Sequence, residues 1–175
     1  MENVKVTYLS KLTEEQINDL WEELKKTKLR ICYSRHNSGI GRTQAFGIIN
    51  VRGKGPGPAA NNLKYPELFR KLMDFATQCF PFHEFDGIQL NHNYQSEMHL
   101  DKNNVGESII VSFGDYEGGE LVIEDMVHDT RLQPVLFDGS LYRHWNKPIL
   151  KGDKYSLVFF KNNKVQHLKK QNQPI

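Results

Sequence analysis

The sequence predicts a mainly β domain with flanking helices, and three features point to it. From Phe85 onward the apolar residues fall in short runs, "FDGIQLNHNY", "SIIVSFG", "ELVIED", "LQPVLFDG" and "KYSLVFF", divided by Gly, Asn and Asp with no helical stretch between them. Strands of that length without crossover helices suggest an antiparallel sandwich or barrel. Two amphipathic helices precede them, and 175 residues are enough to bury one core without disulfides or structural metal.

The first helix is read from "LTEEQINDLWEELKK", where Ile17, Leu20, Trp21 and Leu24 share one face. Thr13 and Gln16 are spaced as a capping box, and Leu12 stands opposite Ile17 as a hydrophobic staple. The second opens at Pro66 in "YPELFRKLMDFATQCF", with Pro in the first turn and Leu68, Leu72, Phe75 and Cys79 on one face. Both are expected to cover a sheet. Between them "SRHNSGIGRTQAFGIINVRGKGPGPAANN" is rich in Gly, Pro and Asn, and is read as one strand flanked by long loops. Gly118 and Gly119 are assigned a hairpin turn. The whole chain is expected to form one domain, with 1–85 as a helical and loop support, 86–161 as the core and 162–175 as a frayed tail.

Composition sets further bounds. The formal charge of +2 permits a polyanionic partner without demanding one. Cys32 and Cys79 are expected as free thiols in a reducing compartment, because "MENVKVTYLS" lacks a secretory pattern. No apolar run approaches the roughly 20 residues of a membrane span. A soluble protein of the cytoplasm or nucleus is therefore expected. The sequence sets no oligomeric state and is compatible with a monomer.

Chemistry enters with "MHLDKNN", residues 98–104. In a strand, residues two apart share a face, so His99 and Asp101 can aim one nitrogen and one oxygen at a single point. The plainer reading is a strand end entering a turn. A calcium loop is rejected, since its fifth position is Val105 and its twelfth is Ser112, where a bidentate Glu is required. An iron site of two histidines and one carboxylate needs a further His. The candidates are His128 and His144, with His167 too close to the chain end. His128 lies in "EDMVHDT" and reads as a solvated loop residue. Ten residues after His144 comes Lys154, with Ser156 two further on the same face. An inward cation and hydroxyl need an anionic partner, which a dicarboxylate would supply; the alternative is an outward strand-end lysine.

The order His99-x-Asp101, "GDYEGGEL", His144, then Lys154 with Ser156 resembles the iron and 2-oxoglutarate-dependent oxygenases, over residues 87–160. The resemblance implies a double-stranded β-helix (jelly roll) with flanking helices. It also implies that His99, Asp101 and His144 hold Fe(II), and that Lys154 and Ser156 bind the distal carboxylate of 2-oxoglutarate. O2 is then consumed, 2-oxoglutarate is decarboxylated to succinate, and a C–H bond is hydroxylated, with ascorbate a candidate reductant. Many relatives carry Arg where this chain has Lys154, while prolyl 4-hydroxylases are among the branches with Lys. Asn91, Asn93 and Tyr94 in "NHNY" are candidates for supporting the cosubstrate or the metal ligands, or simply edge-strand polarity.

Within the superfamily "HLDKNNVGESIIVSFGDYEGGELVI" is most similar to the TET/JBP group, which oxidises the methyl of 5-methylcytosine or thymine in nucleic acid. Small viral and protist members share the compact "DKNN" and "SLVFF" segments. The resemblance implies that Asn104, five positions after His99, hydrogen-bonds a flipped base. Flipping is needed because a stacked base cannot reach a buried metal. Arg35, His36, Arg42, Arg52 and Lys54 are candidate phosphate contacts, or a solvated basic loop, and Phe46 is a stacking candidate or core. Two other functions stay open: a protein hydroxylase of the prolyl type, which "HWNKPILKGDK" also resembles, and a non-catalytic jelly-roll binding module.

Overall fold

The computed structural model of the protein describes the backbone of residues 3–29, 31–33 and 39–172, with side chains over 3–29 and 41–172. Arg35, His36 and the side chain of Cys32 lie outside the described residues. In chain order the strands are β1 (Val6–Tyr8), β2 (Ile31–Tyr33), β3 (Gly39–Val51), β4 (Gly55–Pro58), β5 (Gly87–Ser96), β6 (Ser108–Phe113), β7 (Tyr116–Gly118), β8 (Leu121–Ile123), β9 (Met126–His128), β10 (Val135–Phe137), β11 (His144–Asn146), β12 (Ile149–Gly152) and β13 (Tyr155–Phe160). The helices are α1 (Glu14–Lys26), α2 (Asn61–Lys64), α3 (Pro66–Cys79) and α4 (Asn163–Gln171).

All strand pairs are antiparallel. The major sheet runs β1-β10-β6-β13-β5-β3-β2 with β4 on β3, and β11-β8-β9 and β12-β7 form two smaller sheets. Residues paired across antiparallel strands point to the same face, so the register sorts every side chain. One face of the major sheet presents Phe46, Ile88, Leu90, Ile109, Val111, Phe113, Leu157 and Phe159, all fully buried against α1 and α3. The other presents Ile110, Val135 and Phe137, which pack with Leu121 and Ile123 of β8. Helices cover one side of the sheet, and the second side closes a jelly roll, as the sequence predicts.

Helix α1 has the expected capping box: the Gln16 amide donates to Thr13 Oγ1 at 3.3 Å and the Thr13 amide to Gln16 Oε1 at 2.8 Å. Trp21 on its buried face meets Phe113 and Tyr155 edge-on, with ring centroids 5.9 and 5.3 Å away. Phe46 is core, fully buried among Phe69 and Tyr65. Cys79 is a free thiol. Among the described residues no helix is long and apolar enough to cross a membrane.

Four local expectations are corrected. The Gly-rich segment before the core is mostly strand: β3 runs 13 residues and carries Arg42 within it. Gly53 lies in the β3–β4 turn, while Gly41 marks an irregularity within β3. Gly41, at φ 139°, sits at a register shift where a Cβ would come within 2.5 Å of the Asn93 carbonyl oxygen, a contact only glycine permits. His128 is a buried strand residue, its Nδ1 2.5 Å from the Tyr8 hydroxyl. Segment 98–101 lies beyond the end of β5, so His99 and Asp101 are not strand neighbours.

The fourth correction concerns the tail, of which Asn163–Gln171 form helix α4. Asn162 caps it through Oδ1, accepting from the Lys164 and Val165 amides at 2.9 and 3.3 Å. Asp86, its side chain wholly buried, accepts from the Asn162 amide (2.9 Å), Gln166 Nε2 (2.9 Å) and Lys169 Nζ (2.6 Å). Asp86→Ala would leave buried donors without acceptors, costing about 3 kcal/mol. Thermal denaturation should show a melting point lower by roughly 10 °C. Lys169→Ala, at a half-exposed position, should cost no more than about 1 kcal/mol.

Candidate metal and cosubstrate site

His99 and His144 face each other across an isolated antiparallel bridge, each amide donating to the other's carbonyl at 3.0 and 3.1 Å. Asp101 joins them because its amide donates to the Gly139 carbonyl at 2.8 Å, so segment 99–101 lies antiparallel to 139–144. The pairing of two distant segments, rather than alternation along one strand, brings imidazole and carboxylate together. Asp101 Oδ1 lies 3.3 Å from His99 Nε2, and Oδ2 lies 3.2 Å from His144 Nε2. The three ligand atoms fall within 4.8 Å of one another.

The second ring nitrogen of each histidine fixes its orientation. His99 Nδ1 donates to the Glu97 carbonyl at 2.7 Å, and His144 Nδ1 to the Tyr142 carbonyl at 2.9 Å. With Nδ1 committed to a carbonyl, Nε2 is in each ring the nitrogen that faces Asp101 and the one left for a metal to bind. Burial opposes ionisation of Asp101, but hydrogen bonds with His144 and His99 outweigh it and hold the carboxyl below its usual range. Burial likewise disfavours a charged His99, while hydrogen bonds to Asp101 and to the Glu97 carbonyl raise its pKa overall. The His144 ring packs edge-on against Phe137 at 5.2 Å, placing it on the inner side of the jelly roll. Two imidazole Nε2 atoms converging on one ionised carboxylate are a donor set suited to Fe(II).

A polar row crosses the inner face of the major sheet. Register aligns Thr43, Asn91, Ser156 and Ser112 on β3, β5, β13 and β6. Asn91 Nδ2 donates to Ser156 Oγ at 3.3 Å. Ser112 Oγ is 3.0 Å from the Tyr116 hydroxyl and 2.5 Å from Thr130 Oγ1. Lys154, just before β13 and only 4% exposed, shares this face. Its Nζ donates to the Gly119 carbonyl at 2.5 Å and lies 5.8 Å from the centre of the Tyr116 ring. Burial pushes the Lys154 ammonium down to about 8, with Glu120 and Asp129 pulling weakly the other way from a distance. Arg131 covers the Tyr116 ring at 4.1 Å. Ser112, Tyr116, Thr130 and Arg131 escaped the sequence reading; a serine inside the apolar run "SIIVSF" was the available signal.

The remaining candidates are placed as follows. Asn93, at φ 51°, supports Lys154: its Oδ1 accepts the Lys154 amide at 2.7 Å, and its amide donates to the Lys154 carbonyl at 2.8 Å. Tyr94 follows that left-handed residue and shares its face with Ser96, whose Oγ donates to Asn146 Oδ1 on β11 at 2.7 Å. Asn104 is half-exposed one turn beyond Asp101, its amide donating to the Asp101 carbonyl at 3.0 Å. Arg42 pairs with His92 and so lies on the helix-bearing face, away from the polar row. Arg52 is exposed in the β3–β4 turn, at the end of β3 opposite to the Gly39–Ser96 pairing nearest the metal ligands. At about 3.3 Å per residue the length of β3 separates Arg52 from that end, and neither arginine joins the site.

The fold is a double-stranded β-helix similar to those of 2-oxoglutarate and Fe(II) oxygenases, with a cluster of two histidines and one aspartate inside it. NgTET1 in complex with 5mC DNA superposes at a TM-score of 0.64 and 15% identity, covering 98% of this chain and 81% of that one. An oxidoreductase of the 2OG-Fe(II) oxygenase family from Burkholderia pseudomallei also scores 0.64 at 15% identity, over 91% of this chain and 88% of that one. A Pseudomonas putida prolyl-4-hydroxylase scores 0.56 at 14% identity, over 92% and 94%. No protein-family model and no curated protein sequence matches the chain.

Proposed function

We propose that the protein is an Fe(II)- and 2-oxoglutarate-dependent dioxygenase that hydroxylates a C–H bond, acting on the methyl group of 5-methylcytosine or thymine in nucleic acid. The observation that carries the oxygenase reading is Lys154. Among the described residues no carboxylate contacts its buried ammonium, and it shares the jelly-roll interior with a His-Asp-His cluster whose Nε2 atoms converge. A buried cation is costly unless an anion meets it, and the distal carboxylate of 2-oxoglutarate is such an anion. His99, Asp101 and His144 would hold the iron. Bound iron and cosubstrate supply the oxidising power, while the chain positions them and excludes water. Asn93 fixes the Lys154 backbone, and Asn91 holds the Ser156 hydroxyl on the cosubstrate side.

The nucleic-acid reading is supported by the resemblance around Asn104 and by the setting of that turn. The Asn163 amide donates to the Asn103 carbonyl at 2.8 Å and the Val105 amide to the Lys161 carbonyl at 3.0 Å, so the start of α4 braces the turn. Lys102, Lys161 and Lys164 neighbour these braced positions in the chain and are candidate phosphate contacts in place of Arg42 and Arg52. The observation favouring a prolyl-type protein hydroxylase instead is Lys154 itself, where many relatives carry Arg and prolyl 4-hydroxylases are among the branches with Lys.

Succinate release, with iron, ascorbate and 2-oxoglutarate, compared across methylated DNA, RNA and proline-rich peptide, tests these readings. Stimulation by methylated nucleic acid with oxidised base in the product is expected. Stimulation by peptide alone would select the protein hydroxylase, and no turnover with any metal would select a binding module. If Asn104 reads the base, Asn104→Ala should lower base oxidation by roughly tenfold or more, since a bidentate base contact contributes about 1–3 kcal/mol. Substrate-free decay of 2-oxoglutarate should persist. An unchanged oxidation rate would remove the main ground for a base substrate.

A further inference from the structure

Gly139 occupies the turn between β10 and β11, and its φ is not in the left-handed region, so the backbone there suits alanine as well as glycine. The space does not. A Cβ at this position would stand 2.4 Å from Asp101 Oδ2, 3.3 Å from Asp101 Cγ and 3.0 Å from His144 Cε1. The backbone of Asp101 has little room to withdraw, because its amide is held by the Gly139 carbonyl at 2.8 Å and its carbonyl accepts the Asn104 amide at 3.0 Å. Only the carboxylate can swing away, and Oδ2 is the oxygen that faces His144 Nε2.

We propose that Gly139 is a positioning residue of the metal centre: its missing side chain is the space that lets the Asp101 carboxylate stand between the two imidazoles. The inference rests on the reading of His99, Asp101 and His144 as metal ligands. Around a metal, outer groups that orient the ligands alter affinity by about 10- to 100-fold when changed. A side chain that displaces a ligand outright belongs at the upper end of that range.

The test is anaerobic titration of the metal-free protein with Fe(II), and with Co(II) followed by its visible absorption, alongside thermal melting of the same preparations. Gly139→Ala should fold, melt close to the parent without metal, and bind either ion at least about 30-fold more weakly. Asp101→Ala and the double variant complete a cycle. Once the carboxylate is gone, Gly139→Ala should change affinity by less than about threefold, because the group it displaces is absent. Parent-like affinity in a folded Gly139→Ala overturns the inference. So does an equal loss in both backgrounds, which would make the glycine a general structural requirement. If Gly139→Ala fails to fold, a double variant that folds and melts like Asp101→Ala still assigns the clash to the carboxylate, while a double variant that also fails overturns it. Parent-like metal binding by Asp101→Ala would instead refute the ligand assignment itself.

Discussion

His144→Ala is expected to abolish Fe(II) binding and 2-oxoglutarate turnover, whereas His128→Ala leaves both intact and costs only stability. The two histidines sit two strands apart. His144 lies on β11, bridged to His99 and 3.2 Å from Asp101 Oδ2. His128 lies on the edge strand β9, paired with Leu121, and its ring meets Tyr8 at a centroid distance of 5.6 Å. With strands about 4.8 Å apart, its backbone stands roughly 10 Å from β11. Removing one of three protein ligands should weaken iron binding by more than about 100-fold. Removing the His128 ring loses a buried hydrogen bond and leaves a small cavity, about 1–3 kcal/mol, seen as a lower melting point with unchanged iron affinity. Equal loss of iron in both variants would sink the choice of His144 as third ligand.

The same pair of histidines shows what local sequence can and cannot display. Each has an apolar residue on one side and a charged one on the other in the sequence. His144 acquires meaning from its spacing to Lys154, a local feature, but the burial of His128 depends on Tyr8 at the other end of the chain. The α1 helix was legible because its capping box and apolar face lie within 15 residues, and the core strands because alternation is local. Helix α4 was not legible. It is polar along most of its length, and Asp86, far upstream, provides its anchor. The face carrying Arg42 was likewise hidden, since a single bulge at Gly41 shifts the register of β3 on β5. Gly139 in "FDGS" carries no local signal of its role, because its demand is for space around a carboxylate 38 positions earlier in the chain. Residue order could therefore nominate the ligands, while the groups that orient them emerged only once distant segments were brought together.

Lys154 carries the sharpest coupling between stability and function. Its pKa of about 8, against 10.5 in the unfolded chain, means that below pH 8 the folded protein holds a buried charge that burial disfavours. At about 1.4 kcal/mol per pKa unit this costs roughly 3 kcal/mol without an anion bound. The unfolded state binds more protons between pH 8 and 10.5, so the metal- and ligand-free protein should gain stability as pH rises through that window. Lys154→Met should remove the penalty, raising stability at pH 7 by up to about 3 kcal/mol, with the gain over the parent vanishing by about pH 10.5. The same variant should raise the apparent KM for 2-oxoglutarate by roughly 100-fold or more, because the cosubstrate carboxylate would be buried without a countercharge. In the parent, that KM should climb above pH 8 as the ammonium deprotonates, by up to tenfold per pH unit. Lys154→Arg should keep the charge at every accessible pH and flatten this rise, whatever its effect on absolute affinity. Urea denaturation of the ligand-free protein and cosubstrate kinetics across pH 6.5–9.5 read the two halves separately. A less stable Lys154→Met protein at pH 7 would show that the ammonium is already compensated within the fold, and the case for an anionic cosubstrate opposite it would fall.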